Sequence, residues 1–216
     1  MQELTIIMYH YVRPIRGSQF PGIKGLELSG FRRQLDFLQE NYSIITVEQI
    51  KLATTANGQL KMPPNACWLT FDDGYKDHFD YVLPELRKRD LQGTFFPPSE
   101  AILDNSLLDV NVVQHILAST QNISELKQSV DNWCIQEGLD EEYLGDLWRK
   151  YGVANRFDDA ETIYVKRLLQ HALPEDLRGA VNNELFSKYV GLNPAELSSQ
   201  LYMSKDEVGE LVSNGM

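Results

Sequence analysis

Cys67-Trp68-Leu69-Thr70-Phe71-Asp72-Asp73-Gly74-Tyr75 joins a short apolar run to two adjacent carboxylates and a glycine. Residues 66–71 read as a buried strand, because aromatic, aliphatic and β-branched residues fill a run of strand length between Pro63-Pro64-Asn65 and Asp72-Asp73-Gly74. The two acids therefore fall at the carboxyl end of a strand. In parallel α/β sheets and barrels that is the end where loops gather ligands and chemistry, so Asp72 and Asp73 are candidate site residues for a geometric reason.

The flanking sequence supplies the rest of a parallel sheet. Leu4 to His10 is a nearly continuous apolar run, the pattern of a strand covered on both faces, and it ends on Tyr9-His10-Tyr11. A lone histidine is more often structural than a ligand, but one at a strand terminus beside the Asp72 strand is a second candidate. Arg13 to Gly25, rich in glycine and proline, reads as a long loop over the same end. Ser29 is placed to cap a helix in which Phe31, Leu35 and Leu38 recur at helical spacing through Asn41. Ser43 to Thr46 is a short strand, and Thr46 and Gln49 have capping-box spacing for a second helix from Val47 to about Thr55, ending before Asn57-Gly58. Tyr75 to Arg89 is a third helix, kinked or started late by Pro84, and Gly93 to Phe96 a fourth strand stopped by Pro97-Pro98. The order βαβαβαβ calls for right-handed parallel crossovers.

From Ala101 the pattern changes. Apolar residues recur every three or four positions over Val112–Leu117, Ile123–Ile135, Tyr143–Tyr151, Thr162–Leu169, Leu177–Tyr189 and Pro194–Leu201, which predicts a run of helices. Residues 101–203 thus read as a helical insertion or cap between a first sheet region, 1–100, and a closing helix in 204–216. That last helix opens on the capping box Ser204/Glu207 and closes near Gly215. The insertion holds 8 basic and 16 acidic side chains and so most of the acidic excess, which ordinary solvated helix faces explain.

The formal net charge of -11 disfavours a nucleic-acid partner, since phosphate backbones need a basic face. The two cysteines, Cys67 and Cys134, have no metal or disulfide-framework spacing and read as reduced thiols. No stretch is long enough for a membrane span, and Met1 to Met8 has no basic n-region, so a cytoplasmic location is expected.

Leu69-Thr70-Phe71-Asp72-Asp73-Gly74-Tyr75 resembles the first motif of the NodB-type polysaccharide deacetylases, carbohydrate esterase family 4. Met8-Tyr9-His10-Tyr11-Val12, Lys76-Asp77-His78 and Gly93-Thr94-Phe95-Phe96 resemble the same family. The resemblance implies an α/β fold: a partial (β/α) barrel of the NodB polysaccharide deacetylase type with about four parallel strands and a large all-helical insertion. It implies a metal-dependent hydrolase that removes N-acetyl groups from an amino sugar of a polysaccharide or glycan precursor. Asp72 would be the general base, Asp73 a ligand of a divalent metal with zinc first in line, and His10 and Tyr75 contacts to the carbohydrate substrate.

The family's second motif, a pair of histidines four residues apart, is missing: the histidines stand at 10, 78, 115 and 171. The closing helix resembles the one that precedes the histidine strand in family members, so the chain is expected to stop one strand short of it. Metal binding is then expected to be weak or absent, this chain is expected to be inactive by itself, and the open sheet edge should be covered by the insertion or by a second copy. The alternative is a non-catalytic carbohydrate-binding or degenerate deacetylase-like protein. Phosphoryl transfer is a weaker third class, since there is no D-x-D spacing at residues 72–75 and no glycine-rich phosphate loop.

Overall fold

The computed structural model describes residues 3–55 and 62–216. The predicted end of the second helix at Asn57-Gly58 lies outside the described residues. The chain divides into two compact units: a sheet unit of Met1–Gln19, Lys24–Ser106 and Pro194–Met216, and a helical unit of Phe20–Ile23 and Leu107–Asn193.

In chain order the sheet unit contains β1 (Leu4–Tyr9), β2 (Val12–Arg13), β3 (Leu26–Glu27), α1 (Leu28–Asn41), β4 (Ser43–Ile44), α2 (Val47–Thr55) and β5 (Ala66–Asp72). A π-helical turn (His78–Val82), α3 (Leu83–Lys88), β6 (Thr94–Phe96) and α4 (Ser99–Leu103) follow. The helical unit contributes α5 (Asp109–Ser119), α6 (Ile123–Gln136), α7 (Glu141–Tyr151), α8 (Ala160–Arg167), a second π-helical turn (Leu168–Ala172) and α9 (Glu175–Tyr189). The sheet unit resumes with α10 (Pro194–Leu201) and α11 (Lys205–Ser213).

β5 is the central strand, and every pairing in its sheet is parallel. β1 runs along one side of it, from Leu4 opposite Ala66 to Tyr9 opposite Phe71. On the other side β4 pairs its beginning, Ser43 with Ala66, and β6 its end, Thr70 with Thr94 through Asp72 with Phe96. The short β2 and β3 pair separately, also in parallel. Three carboxyl ends meet in consequence: His10 follows β1, Asp72-Asp73 closes β5 and Pro97 follows β6.

One face of the sheet is packed. Phe31, Leu35 and Leu38 of α1 are buried against Cys67, Leu69 and Phe71 of β5 and Leu86 of α3. Each such apolar side chain contributes about 1.5–3 kcal/mol of burial free energy, before the entropy of ordering it. Phe71 lies between the rings of Tyr9 and Phe95, stacked at 5.2 Å and 4.7 Å, with Phe31 edge-on. Gly93 lets the backbone entering β6 come this close, because a Cβ there would sit 2.5 Å from the Phe71 ring.

The other face is open, which corrects the expectation that β1 is covered on both sides. Ile6 and Met8 are 54% and 61% exposed, and Phe96 of β6 is 49% exposed. Trp68, opposite Ile6, is half-buried and spends its indole N–H on Thr94 Oγ1 at 2.8 Å. An apolar run records that a layer is wanted on both sides, without saying which atoms supply it.

Two helix starts also differ from their predictions. α1 begins at Leu28, and Ser29 lies inside its first turn while Glu27 occupies the cap position without a side-chain capping bond. The third helix starts as a wider π-helical turn that runs without a break into α3, Leu83 N–H donating to the His78 carbonyl, and Pro84, which has no N–H to donate, falls directly after that turn. The capping boxes are as read. Thr46 N–H donates to Gln49 Oε1 at 2.8 Å and Gln49 N–H to Thr46 Oγ1 at 3.2 Å. Ser204 and Glu207 exchange the same pair of bonds, and Gly215 follows α11 at φ +78°.

In the helical unit the predicted helices form, with Asn122, Asp140 and Asp159 capping α6, α7 and α8 through their side chains. Phe20 joins this unit, its ring edge-on to the buried His115.

Candidate functional site

β5 delivers Asp72 as its last residue, half-buried, with a carboxylate that has no hydrogen-bond or ion-pair partner among the described residues. The chain then turns abruptly. Asp73 sits at φ +70° and Gly74 at φ +63°, two successive left-handed residues. Gly74 accepts this conformation freely, whereas for Asp73 it carries a steric cost that the surroundings must hold in place.

Tyr75 does much of that holding. Its hydroxyl donates to Asp73 Oδ2 at 2.9 Å, and its ring is completely buried between Tyr11, stacked at 4.0 Å, and Tyr202, at 6.0 Å. Met203 N–H donates to the Gly74 carbonyl at 2.9 Å, so the segment after α10 fastens the turn from the other side. Tyr75, expected as a substrate contact, has no exposed surface in this structure and supports Asp73 through its hydroxyl.

His10 comes to the same place from β1. Its Nε2 is 3.9 Å from Asp73 Oδ2, and its side chain stays 44% exposed, open to a ligand. The backbone carrying it is held by the two residues that follow Lys76. Asp77, itself buried, accepts the Val12 N–H at 3.1 Å and Arg13 Nε at 2.7 Å. Burial pushes the Asp77 carboxyl above the ordinary carboxylate range, and Arg13 pulls it back. The Arg13 guanidinium lies 5.0 Å over the Tyr11 ring, extending the aromatic stack.

His78 is fully buried among Phe71, Tyr75 and Phe95. Its Nε2 is 2.9 Å from the His10 carbonyl, and because a carbonyl only accepts, Nε2 carries the proton. Burial lowers its pKa to about 4, so the ring is neutral, and Nδ1 is left without a partner. Asp77 and His78 therefore make one clamp on residues 10–13. Their role was not read from the sequence, although both stand within the Lys76-Asp77-His78 step.

The structure brings Asp72, Asp73 and His10 together and leaves His115 and His171 in the helical unit. Among the described residues no group of three or more His, Cys, Asp or Glu side chains converges as a metal site. Asp73 and His10 are two donors, fewer than the three protein ligands typical of a catalytic zinc, so the donor set of the described residues does not by itself fit the metal.

The chain is similar in part to known proteins. Residues 59–130 match the family model described as polysaccharide deacetylase. The putative polysaccharide deacetylase YxkH of Bacillus subtilis is 30% identical over 102 residues, 46% of this chain and 33% of that protein, so the match spans a third of the relative's length. Among solved structures, a de-N-acetylase from Aggregatibacter actinomycetemcomitans superposes with a TM-score of 0.39 at 24% identity, over 48% of this chain and 40% of the other. The Streptococcus pyogenes deacetylase PplD, in complex with acetate, does so at 0.38 and 22%, over 53% and 51%. The segment that contains Asp72 and Asp73 is thus similar to polysaccharide deacetylases over residues 59–130.

Proposed function

We propose that the protein acts on an N-acetylated amino sugar of a glycan, with Asp72 as the base that takes a proton from the water attacking the acetamide carbon. The observation that supports this is the unpartnered Asp72 carboxylate at the carboxyl end of β5, inside the family match. A half-buried carboxylate with free lone pairs can orient and deprotonate a water held against it. The C–N bond of the acetamide then breaks as the proton held by Asp72 passes to the leaving nitrogen, releasing acetate and the free amine. Asp73, steadied by Tyr75, would supply one ligand to a divalent metal, and a metal supplies Lewis-acid activation of water and carbonyl when bound. Among the described residues His10 is the further donor beside Asp73, and the remaining ligands would have to come from elsewhere. His10, exposed beside Asp73, would contact the sugar.

A second reading, a carbohydrate-binding protein without turnover, is favoured by that short donor set. The two are separated by incubating the 216-residue chain with N-acetylglucosamine oligomers, with and without added zinc, and measuring acetate. Release that is lost in Asp72→Asn supports the hydrolase; binding of the oligomers with no acetate under either condition supports the second reading and overturns the first. We also assign the open sheet face bearing Ile6, Met8 and Phe96 to contact with a second copy, since apolar side chains clustered on one exposed surface are uncommon in monomers.

A further inference from the structure

The cleft where α6, α7 and α8 meet in the helical unit is walled by an aromatic ring and charged side chains, and neither the family match nor the Asp72 site accounts for it. We infer that it is a second carbohydrate site, one that takes a single N-acetylhexosamine unit of a glycan. Its volume is about 290 Å³. That is near the lower end of the range for small-molecule pockets, about 300 Å³, and suits one sugar ring better than a chain of them.

The walls are preorganised. Tyr164, almost fully buried, is the floor and meets the Trp148 ring edge-on, centroids 5.2 Å apart at 76°. Gly152 approaches so closely that a Cβ there would lie 2.7 Å from Trp148 ring atoms, so the indole is held on that side. Asp131 ties the remaining parts together, accepting the Tyr164 hydroxyl at 2.9 Å and Lys127 Nζ at 2.6 Å. The Lys127 ammonium is thus fixed 5.0 Å from the Trp148 centroid and 5.1 Å from that of Tyr164. Gly145, on the wall formed by α7, presents no side chain to fill the space.

What remains unspent matches a sugar amide. The Trp148 indole N–H and the Glu141 carboxylate, both lining the cleft, have no protein partner among the described residues. Lys127 uses one of its three donors on Asp131. An N-acetylhexosamine carries an apolar C–H face for the aromatic wall, an amide N–H for Glu141 and an amide oxygen for Lys127 or the indole N–H. If the Lys127–aromatic–Asp131 arrangement were packing alone, these groups would bind nothing.

The choice of an amino sugar rests on the deacetylase reading; the existence of the cleft does not. The test is NMR of the full chain, following the three tryptophan indole N–H signals during titration with N-acetylglucosamine. Trp68 and Trp133 donate to Thr94 and Glu184, so they serve as internal references. The Trp148 signal is expected to move saturably, Glu141→Gln to weaken binding about fivefold to tenfold, the loss of one charge-assisted hydrogen bond, and Trp148→Leu, read by saturation transfer to the sugar protons because the reporter is gone, to abolish binding with the Trp133 signal in place. An unmoved Trp148 signal, or affinity indifferent to Glu141→Gln, overturns the proposal, as does a shift confined to Trp68. Acetate release with an unmoved Trp148 refutes the cleft alone. Movement of Trp148 without acetate release leaves the cleft standing and refutes the turnover.

Discussion

Acidification should destabilise the protein through His78 specifically. In the folded chain the ring is buried and neutral, with Nε2–H committed to the His10 carbonyl and Nδ1 facing no acceptor, and its pKa is lowered to about 4 from 6.5. Unfolding returns it to water and to the ordinary value. Between pH 6.5 and about 4 the unfolded state therefore binds a proton that the folded state refuses, and stability falls with pH across that window while remaining untouched above it. The separation of about 2.5 between the two values, at about 1.4 kcal/mol each, amounts to about 3–4 kcal/mol, a substantial fraction of a typical domain's net stability. The assay is urea unfolding at several pH values between 7 and 4.5, for the wild type and for His78→Gln. The variant loses the bond geometry and should be less stable at pH 7, but its stability should decline less steeply towards pH 4.5, because the titrating group is gone. The difference between the two slopes isolates His78 from the other histidines. Parallel profiles for the two proteins would refute the reasoning, since they would mean that the ring is not held neutral by burial.

Three further perturbations probe the supports of the site. Gly93→Ala places a methyl 2.5 Å from a Phe71 ring that Tyr9 and Phe95 hold on both faces, and should cost about 1–3 kcal/mol, seen as a Tm lowered by about 5 °C; an unchanged Tm would show that the stack yields. Tyr75→Phe keeps the ring between Tyr11 and Tyr202 and removes only the donor to Asp73, so it should cost about 0.5–1.5 kcal/mol in chemical denaturation, with a larger loss contradicting the bond as the main role of the hydroxyl. Met8→Lys puts a charge on the open sheet face and should convert a self-associated species to monomer in sedimentation velocity; a wild-type chain that is already monomeric at high micromolar concentration sinks the assignment of that face to a second copy.

Much of this is written locally. Phe31, Leu35 and Leu38 announce the buried stripe of α1, the pairs Thr46/Gln49 and Ser204/Glu207 announce two helix starts, and an apolar run stopped by Asp72-Asp73-Gly74 announces a strand with acids at its carboxyl end. These features depend on residues within a few positions of one another, governed by helical and strand periodicity and by capping bonds, so they can be read without coordinates. The same is true of the predicted helices from α5 onward.

What the chain's order alone determined is therefore the inventory: parallel strands, their helices, a helical insertion, and a pair of carboxylates in a stretch that resembles a deacetylase motif. Tertiary structure decided how the pieces bear on each other. That Tyr75 is a buried strut for Asp73, that Asp77 and His78 reach more than sixty residues back to hold residues 10–13, and that Ile6 and Met8 face outward are all consequences of contacts between segments distant in sequence. Periodicity reports which face of an element is apolar. Only the placement of β1 beside β5, and of the backbone around them, determines which side chains are enclosed, which hydrogen bonds close, and which carboxylate is left free.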